Sequence, residues 1–248
     1  IVIACSEFLL RKTLNANLGL VNLGLFTATW MIGTYYAHFL MMATSFDFFP
    51  RLTETLADKA EQDKSINTQV EMLLLLSAPI LLSASTLSPY VLQIAYSSAF
   101  RDAADLFRLM VLGDVLRLTC YPLGFVLLAH SAGKHYLVAK IFESSCLVAL
   151  ITFLSLKFGL TGAGLGHIIA YGSLLFVMAA LVQLKTGYRM SRRVTTIIAA
   201  LTVAALTIIL LSARSEAATI AVGMLFTGIS IAIALKRIQP HRFKRRSA

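Results

Sequence analysis

The stretch LVNLGLFTATWMIGTYYAHFLMMATSF, residues 20–46, decides the fold class, because it contains no Asp, Glu, Lys or Arg. About 20 predominantly apolar residues are enough for a helix to cross the hydrocarbon core of a bilayer. Gly, Ala and Thr recur along the stretch, and such small residues let helices approach one another closely in lipid. The stretch therefore predicts a membrane-spanning helix that packs inside a bundle.

The composition of the whole chain indicates the same class. Of the 248 residues, 58% are hydrophobic and 14% are charged, and the mean hydropathy is +0.78. A soluble domain carries about 25% charged residues. This chain cannot cover its apolar surface with polar groups, so lipid must cover part of it. We predict an all-α protein, a polytopic bundle of transmembrane helices.

Seven apolar segments are long enough to cross a bilayer, and one shorter segment precedes them. The short segment, IVIACSEFLL at residues 1–10, supplies about half of the length that a spanning helix needs and lacks the features of a signal peptide. We interpret it as the tail of a helix cut by truncation. A charged stretch at residues 50–67 separates two spans and is expected to contain a short surface helix. The seven full spans are predicted at about residues 20–46, 68–94, 106–129, 137–156, 163–184, 194–211 and 219–235.

The charge distribution predicts the orientation in the membrane. A net charge of +10 could suggest nucleic acid as a partner, but the basic residues lie in short loops and in the tail KRIQPHRFKRRSA at residues 236–248. Fourteen Lys and Arg residues fall on the side of this tail and six on the other side. Cytoplasmic loops carry such an excess. We therefore predict a multi-pass protein with a cytoplasmic C-terminus and no nucleic-acid partner.

Among the charged residues inside the predicted spans, four form two pairs on neighbouring spans, and a charge at a helix centre costs about 2.5–3.5 kcal/mol on insertion scales. Asp114 and Arg117 lie three residues apart on one helix, and Lys140 and Glu143 lie three residues apart on the next. Such spacing places each pair on one helix face. Each helix can therefore offset much of its own charge, or the four residues can pair across the two helices; in either case they could be internal ion pairs that fix the helix register. Alternatively, the four residues face a hydrated cavity, where Arg117 and Lys140 would bind an anionic headgroup.

Other polar and aromatic residues are weaker candidates for the site. His167, in the small-residue segment GAGLGHIIAYG, could bond a neighbouring helix or take part in proton coupling. Glu7 lies in the short first segment and could have partners in a missing half of the protein. Four aromatic residues could stack on sugar rings, although packing is the commoner role of such residues; they are Trp30, Tyr35, Tyr36 and Tyr121.

The sequence predicts no catalytic site, cofactor or metal site. Cys5, Cys120 and Cys146 all lie in apolar stretches, and their spacing matches no metal motif. The HExxH, GxSxG and phosphate-loop motifs are missing from the sequence. The GAGLG run at residues 162–166 is explained by close helix packing. We do not expect an enzyme.

Three stretches together resemble one family, the Wzx-type flippases of O-antigen and other polysaccharide precursors. They are FFPRLTE at residues 48–54, AADLFRLMVLGDVLRLTCYPLGFVLLAHSAGKHYLVAKIFE at residues 103–143, and KFGLTGAGLGHIIAY at residues 157–171. The similarity extends over about residues 9–183. The central stretch is the most specific, because it includes the charged LGDVLR and the spacing to Glu143.

The resemblance implies a fold and a division of the chain. Members of this superfamily, the multidrug/oligosaccharidyl-lipid/polysaccharide exporters, consist of two six-helix bundles around a central cavity. Residues 1–184 would then form the C-terminal lobe with a truncated first helix. Residues 185–248 would add a transmembrane hairpin and a basic cytoplasmic tail.

The resemblance also implies a function. It predicts translocation of undecaprenyl-pyrophosphate-linked oligosaccharides, for lipopolysaccharide and related polymers, across the bacterial inner membrane. The expected partners are the lipid-linked oligosaccharide, membrane lipids, the missing N-terminal lobe, a polysaccharide polymerase and a chain-length regulator. The family residues that match are Asp114, Arg117 and Glu143 in the membrane, and Pro50 and Arg51 in a cytoplasmic motif.

The sequence also leaves three alternatives to the flippase function open. A cation-coupled drug exporter of the same superfamily would need cavity carboxylates without accompanying cations. A membrane enzyme that uses polyprenyl phosphates would need a large polar loop, and the longest loop, around residues 50–67, contains no His or Cys. A structural partner without transport activity is the third alternative.

Overall fold

A computed structural model describes residues 2–244, with side chains described for residues 2–237. Throughout this part of the chain the regular structure is helical. Eight α-helices and one short 3₁₀ helix follow one another: α1 (Val2–Ser45), α2 (Phe48–Glu54), α3 (Lys59–Thr86), α4 (Ser88–Ala95), the 3₁₀ helix (Ser98–Ala103), α5 (Ala104–Ala129), α6 (Gly133–Thr186), α7 (Arg192–Ser212) and α8 (Glu216–Lys244).

The long helix α6 reverses its direction at Gly159, whose φ of 60° and ψ of −140° are not helical. A Cβ atom at Gly162 would overlap the carbonyl oxygen of Leu154, and one at Gly166 would lie 2.7 Å from the Cα of Ile151. Residues on the two sides of Gly159 are therefore neighbours in space. Helix α6 is a tight antiparallel hairpin, and its arms correspond to the predicted spans at residues 137–156 and 163–184.

Helix α1 has a similar reversal at Gly19, where φ is 79° and ψ is 171°. The hydroxyl of Thr13 lies 3.0 Å from that of Thr152, and the ring of Trp30 lies 5.7 Å from that of His167. Thr152 and His167 are at a similar height on the α6 hairpin. A continuous helix would separate Thr13 and Trp30 by about 25 Å, so the chain turns back between them.

The predicted fold class is confirmed. Six helices in the described part of the chain are long and apolar enough to cross a membrane: α1, α3, the 3₁₀ helix with α5, α6, α7 and α8. Because α1 and α6 each turn back on themselves, the bundle contains eight apolar segments. The protein is a polytopic helical bundle.

The boundaries of one predicted span differ from the structure. Helix α3 begins at Lys59, nine residues before the predicted start, because the carboxylate of Asp58 accepts hydrogen bonds from the backbone N–H groups of Ala60 and Glu61. The helix ends at Thr86 rather than near residue 94, and α4 starts at Ser88 with a proline in its first turn. The charged stretch at residues 50–67 is thus mostly helical, and α2 is its short helix.

Helix α5 is the centre of the bundle. Leu106, Met110 and Leu123 belong to a core cluster shared with α1 and α6, whereas Phe107 and Val115 belong to a second cluster shared with α3 and α7. A helix that is apolar on all sides is buried on all sides. Asp114 and Arg117, in the middle of α5, therefore lie in the interior of the bundle.

Helices α7 and α8 pack on the outer side of α3. The carboxylate of Glu71 lies 3.0 Å from Arg193 of α7 and 3.4 Å from Arg237 of α8. Gly223 of α8 permits close contact, because a Cβ atom there would overlap the side chain of Thr86. The division of the chain at residue 184 stays a prediction, and the end of the predicted basic tail lies outside the described residues.

Candidate functional site

Helices α5 and α6 bring intramembrane charges into one cavity of about 140 Å³. Arg117 comes from α5, and Lys140 and Glu143 come from the first arm of α6. The rest of the wall is aromatic and apolar, so that a charged ligand would meet few other polar groups. The lining residues are Met41, Arg117, Cys120, Tyr121, Gly124, Phe125, Leu128, Tyr136, Lys140, Glu143, Tyr171, Leu174 and Met178.

Each cation of the cavity is paired with an acid on its own helix. Lys140 Nζ lies 2.7 Å from Glu143 Oε2, and Arg117 Nη1 lies 3.5 Å from Asp114 Oδ1. Of the two arrangements left open by the sequence, the structure has the pairs within each helix, and neither Asp114 nor Glu143 pairs with the cation of the other helix. The distance of 3.5 Å between Arg117 Nη1 and Asp114 Oδ1 is long for a charge-assisted hydrogen bond. The guanidinium is therefore only loosely held by its carboxylate.

Three tyrosine rings surround the two cations. The Arg117 Cζ atom lies 5.9 Å from the centre of the Tyr121 ring and 5.6 Å from that of Tyr171. Lys140 Nζ lies 6.0 Å from the same Tyr121 ring and 5.8 Å from Tyr136. Such distances allow cation–π attraction. Tyr121 is thus shared by both cations, and its hydroxyl also accepts a hydrogen bond of 3.1 Å from Arg117 Nε.

Asp114 lies behind the cavity wall rather than in it, and only 1% of its surface is exposed. Its Oδ1 atom is shared by Arg117 Nη1 and by His167 Nε2, the latter at 3.3 Å. Its Oδ2 atom accepts a hydrogen bond from the Tyr36 hydroxyl. Gly33 gives this oxygen room, because a Cβ atom there would lie 3.1 Å from it. One carboxylate therefore connects α1, α5 and the second arm of α6.

His167 is also buried, with 2% of its surface exposed. Its ring lies 5.7 Å from that of Trp30 and 4.8 Å from that of Tyr171. Its Nδ1 atom has no hydrogen-bond partner among the described residues. The ring reaches Asp114 because residue 113 is glycine, and a Cβ atom at that position would overlap the imidazole. Sequence reasoning singled out His167, and the structure places it beside Asp114.

Other predicted site residues lie outside the cavity. Glu7 is partly exposed and lies 4.0 Å from Arg11 on the same helix. Arg51 is exposed and donates from Nε to the backbone carbonyl of Asp47. Pro50 and Arg51 belong to α2, whose Phe48 packs against the cavity residue Phe125 at 6.3 Å. The Pro50–Arg51 motif is therefore near one end of the cavity but does not line it.

The aromatic candidates separate into different roles. Tyr121 lines the cavity, Tyr36 bonds Asp114, and Trp30 packs between Phe26 and His167. Tyr35 is exposed on α1.

Sequence reasoning missed the roles of Tyr136 and Tyr171, although a signal was present. Each lies four residues from a polar residue of the site, Tyr136 before Lys140 and Tyr171 after His167. Tyr121 has the same spacing from Arg117. Residues four apart are neighbours on a helix surface, so this spacing could have identified all three rings.

Among the described residues, no group of three or more His, Cys, Asp or Glu side chains could hold a metal ion. The arrangement of the cavity is suited to binding an anion with an organic body, through two cations and three aromatic rings.

Comparison with known proteins identifies two distant relatives. The lipid III flippases of Escherichia coli (strain K12) and Shigella flexneri are each 21% identical to this chain over 171 residues. The match covers 69% of this chain and 41% of each relative, so the chain spans about two-fifths of their length. No family model and no solved structure matches the chain. The chain is a distant homologue of flippases, which are transporters rather than enzymes.

Proposed function

We propose that the protein containing this chain moves undecaprenyl-pyrophosphate-linked oligosaccharides across the bacterial inner membrane by alternating access. The observation that carries the proposal is the convergence of Arg117 and Lys140, from separate helices, on one cavity within an apolar bundle. A pyrophosphate brings negative charge into the bilayer, and these cations offer it hydrogen bonds that would otherwise come from water. The distant relationship to lipid III flippases supports the same function.

The two cations would bind the pyrophosphate while the tyrosine rings contact the attached sugars. The polyprenyl tail would remain in the bilayer, where its apolar surface stays out of contact with water. The chain would act as one lobe, rocking against a second lobe so that the cavity opens to each side in turn. We place the C-terminus and the Pro50–Arg51 motif in the cytoplasm, following the distribution of Lys and Arg.

The proposed family is that of the Wzx-type flippases, acting on a precursor of O-antigen or of a related polysaccharide. A cation-coupled drug exporter is less well supported. Asp114 and Glu143 each lie within 3.5 Å of a cation on their own helix, so neither carboxylate is free to attract a cationic drug.

The proposal is tested by replacing each cation. We expect Arg117→Ala and Lys140→Ala, made in the full-length protein, to reduce surface polysaccharide at least about tenfold, since a hydrogen bond to a charged group contributes about 1.5–3 kcal/mol. Lys140→Arg should retain part of the activity. The measurement is immunoblotting of surface polysaccharide in a strain that lacks the chromosomal gene.

Two exposed cations provide matched controls. Lys157 lies 4.7 Å from the Phe153 ring in α6, and Arg101 lies 5.5 Å from the Tyr90 ring. Lys157→Ala and Arg101→Ala should leave polysaccharide unchanged. Normal polysaccharide in Arg117→Ala and Lys140→Ala, with normal amounts of protein in the membrane, would reduce these two cations to structural residues.

A further inference from the structure

The charges of the cavity are balanced before any ligand enters. Arg117 and Lys140 carry two positive charges, and Asp114 and Glu143 carry two negative charges within 3.5 Å of them. An entering pyrophosphate must therefore draw a cation away from its carboxylate. Glu143 is partly exposed to the cavity, but Asp114 is buried. A buried carboxylate that loses its cation is strongly destabilised.

His167 is placed to replace the lost cation. Its Nε2 atom and Arg117 Nη1 contact the same oxygen, Asp114 Oδ1, at 3.3 Å and 3.5 Å. A carboxylate only accepts hydrogen bonds, so Nε2 carries the hydrogen of the neutral ring. The lone pair of Nδ1 then has no partner among the described residues and is available for a proton.

From this geometry we propose that anion binding in the cavity is linked to proton uptake by His167. The inference rests on the proposed function and adds a proton to it. As Arg117 turns from Asp114 to the pyrophosphate, the Nδ1 atom of His167 takes one proton from water. The resulting imidazolium keeps Asp114 paired, and the protein itself carries one positive charge more than before.

The groups around His167 favour the uptake of a proton by its ring when Arg117 leaves Asp114. Asp114 and Arg117 face it from α5, and Tyr36 of α1 holds the second oxygen of Asp114. The rings of Trp30 and Tyr171 lie within 6 Å of the imidazole in edge-type contacts and fix its position beside Asp114. From the first arm of α6, Lys140 and Glu143 are already paired with each other. Among the described side chains bonded to Asp114, His167 is the one that changes from neutral to cationic by taking up a proton.

The test is titration calorimetry with farnesyl pyrophosphate and the purified full-length protein in lipid nanodiscs. Measurements in two buffers of different ionisation enthalpy give the number of protons taken up with each ligand. We expect the wild type to take up about one proton more than His167→Gln, because linkage counts the protons bound in each state. In the pH range where only the ligand-bound protein holds this proton, the affinity of the wild type should fall about tenfold per pH unit relative to that variant.

A second variant tests the same linkage if His167→Gln does not fold. Asp114→Asn removes the negative charge that His167 must compensate, so it should bind the ligand without the additional proton and more tightly than His167→Gln does. His130→Gln is the matched control, because His130 contacts Gln62 rather than the Asp114 cluster. It should retain the proton uptake of the wild type.

The two possible failures are distinguishable. Equal proton uptake by the wild type and His167→Gln, with ligand bound in both, would overturn the linkage and leave the proposed function in place. Absence of farnesyl pyrophosphate binding to the wild type would overturn the proposed function, and the linkage with it.

Discussion

Gly113 determines how closely His167 approaches α5. A Cβ atom at position 113 would overlap Cδ2 of the imidazole and lie 3.0 Å from Nε2. Because the ring is packed between Trp30 and Tyr171, it has little room to retreat. Gly113, which has no side chain, therefore permits the contact between His167 and Asp114.

We expect Gly113→Ala to impair function more than stability. Alanine is favoured over glycine in a helix by about 1 kcal/mol, which offsets part of an overpacking cost of about 1–3 kcal/mol. The displaced imidazole, however, would lose its contact with Asp114. Surface polysaccharide and the thermal unfolding midpoint, measured on the same variant, would separate the two effects.

Gly172→Ala is the control for this prediction. A Cβ atom there would lie 3.8 Å from Leu116 Cδ1, an ordinary contact, and the residue adjoins the same part of the site. Activity should be retained. Equal losses of activity in Gly113→Ala and Gly172→Ala would contradict the role assigned to Gly113.

At the scale of residues, local spacing offered the pairs Asp114–Arg117 and Lys140–Glu143 as one of two arrangements, because residues three apart on a helix are neighbours whatever the tertiary fold. The contact between Asp114 and His167 joins residues 53 positions apart. No periodicity within either helix contains that information, so the cluster behind the cavity required the structure.

At the scale of elements, the α6 hairpin depends on the backbone of one glycine. Gly159 has φ 60° and ψ −140°, a combination that side-chain-bearing residues rarely adopt. No heavy atom lies within 4 Å of the position that a Cβ atom would occupy. Any cost of a substitution here is therefore a cost of backbone conformation.

Gly159→Ala is expected to destabilise the protein by about 1–3 kcal/mol, the usual cost of an unfavourable backbone conformation. Gly24→Ala is the matched control, since Gly24 also has open space around its Cβ position but has no positive φ. That change should be neutral or stabilising by up to about 1 kcal/mol. Thermal unfolding in detergent gives both values, and a smaller loss in Gly159→Ala than in Gly24→Ala would refute the assignment.

Hydropathy predicted most elements because each span needs a continuous apolar run. It placed the start of α3 too late, since residues 59–67 are polar and were interpreted as a connection. The helix forms there because Asp58 caps it and because buried residues such as Gln62 and Ile66 pack inward. Tertiary contacts therefore extend α3 beyond its apolar run.

At the scale of the whole molecule, one carboxylate of α3 contacts both arms of the α7–α8 hairpin. Glu71 is largely buried, whereas Arg193 and Arg237, which approach it from the two arms, are about half exposed. All three lie near one end of the bundle, where our orientation places the cytoplasm. The sequence predicted a hairpin after residue 185, but hydropathy could not predict that it packs on α3, since any apolar helix face could have received it.

The two ion pairs of Glu71 predict how the stability of the protein depends on salt concentration. Glu71→Gln should destabilise the protein by about 1 kcal/mol or less for each ion pair, because its partners are exposed to water. At low ionic strength the two pairs act together, whereas about 1 M salt shortens the Debye length to about 3 Å. The difference in unfolding midpoint between the wild type and Glu71→Gln should therefore shrink as salt is added.

Glu54→Gln, which removes an exposed carboxylate at the end of α2, should show little difference at any salt concentration. A difference that persists unchanged in high salt would mean that Glu71 stabilises the hairpin through packing rather than through charge.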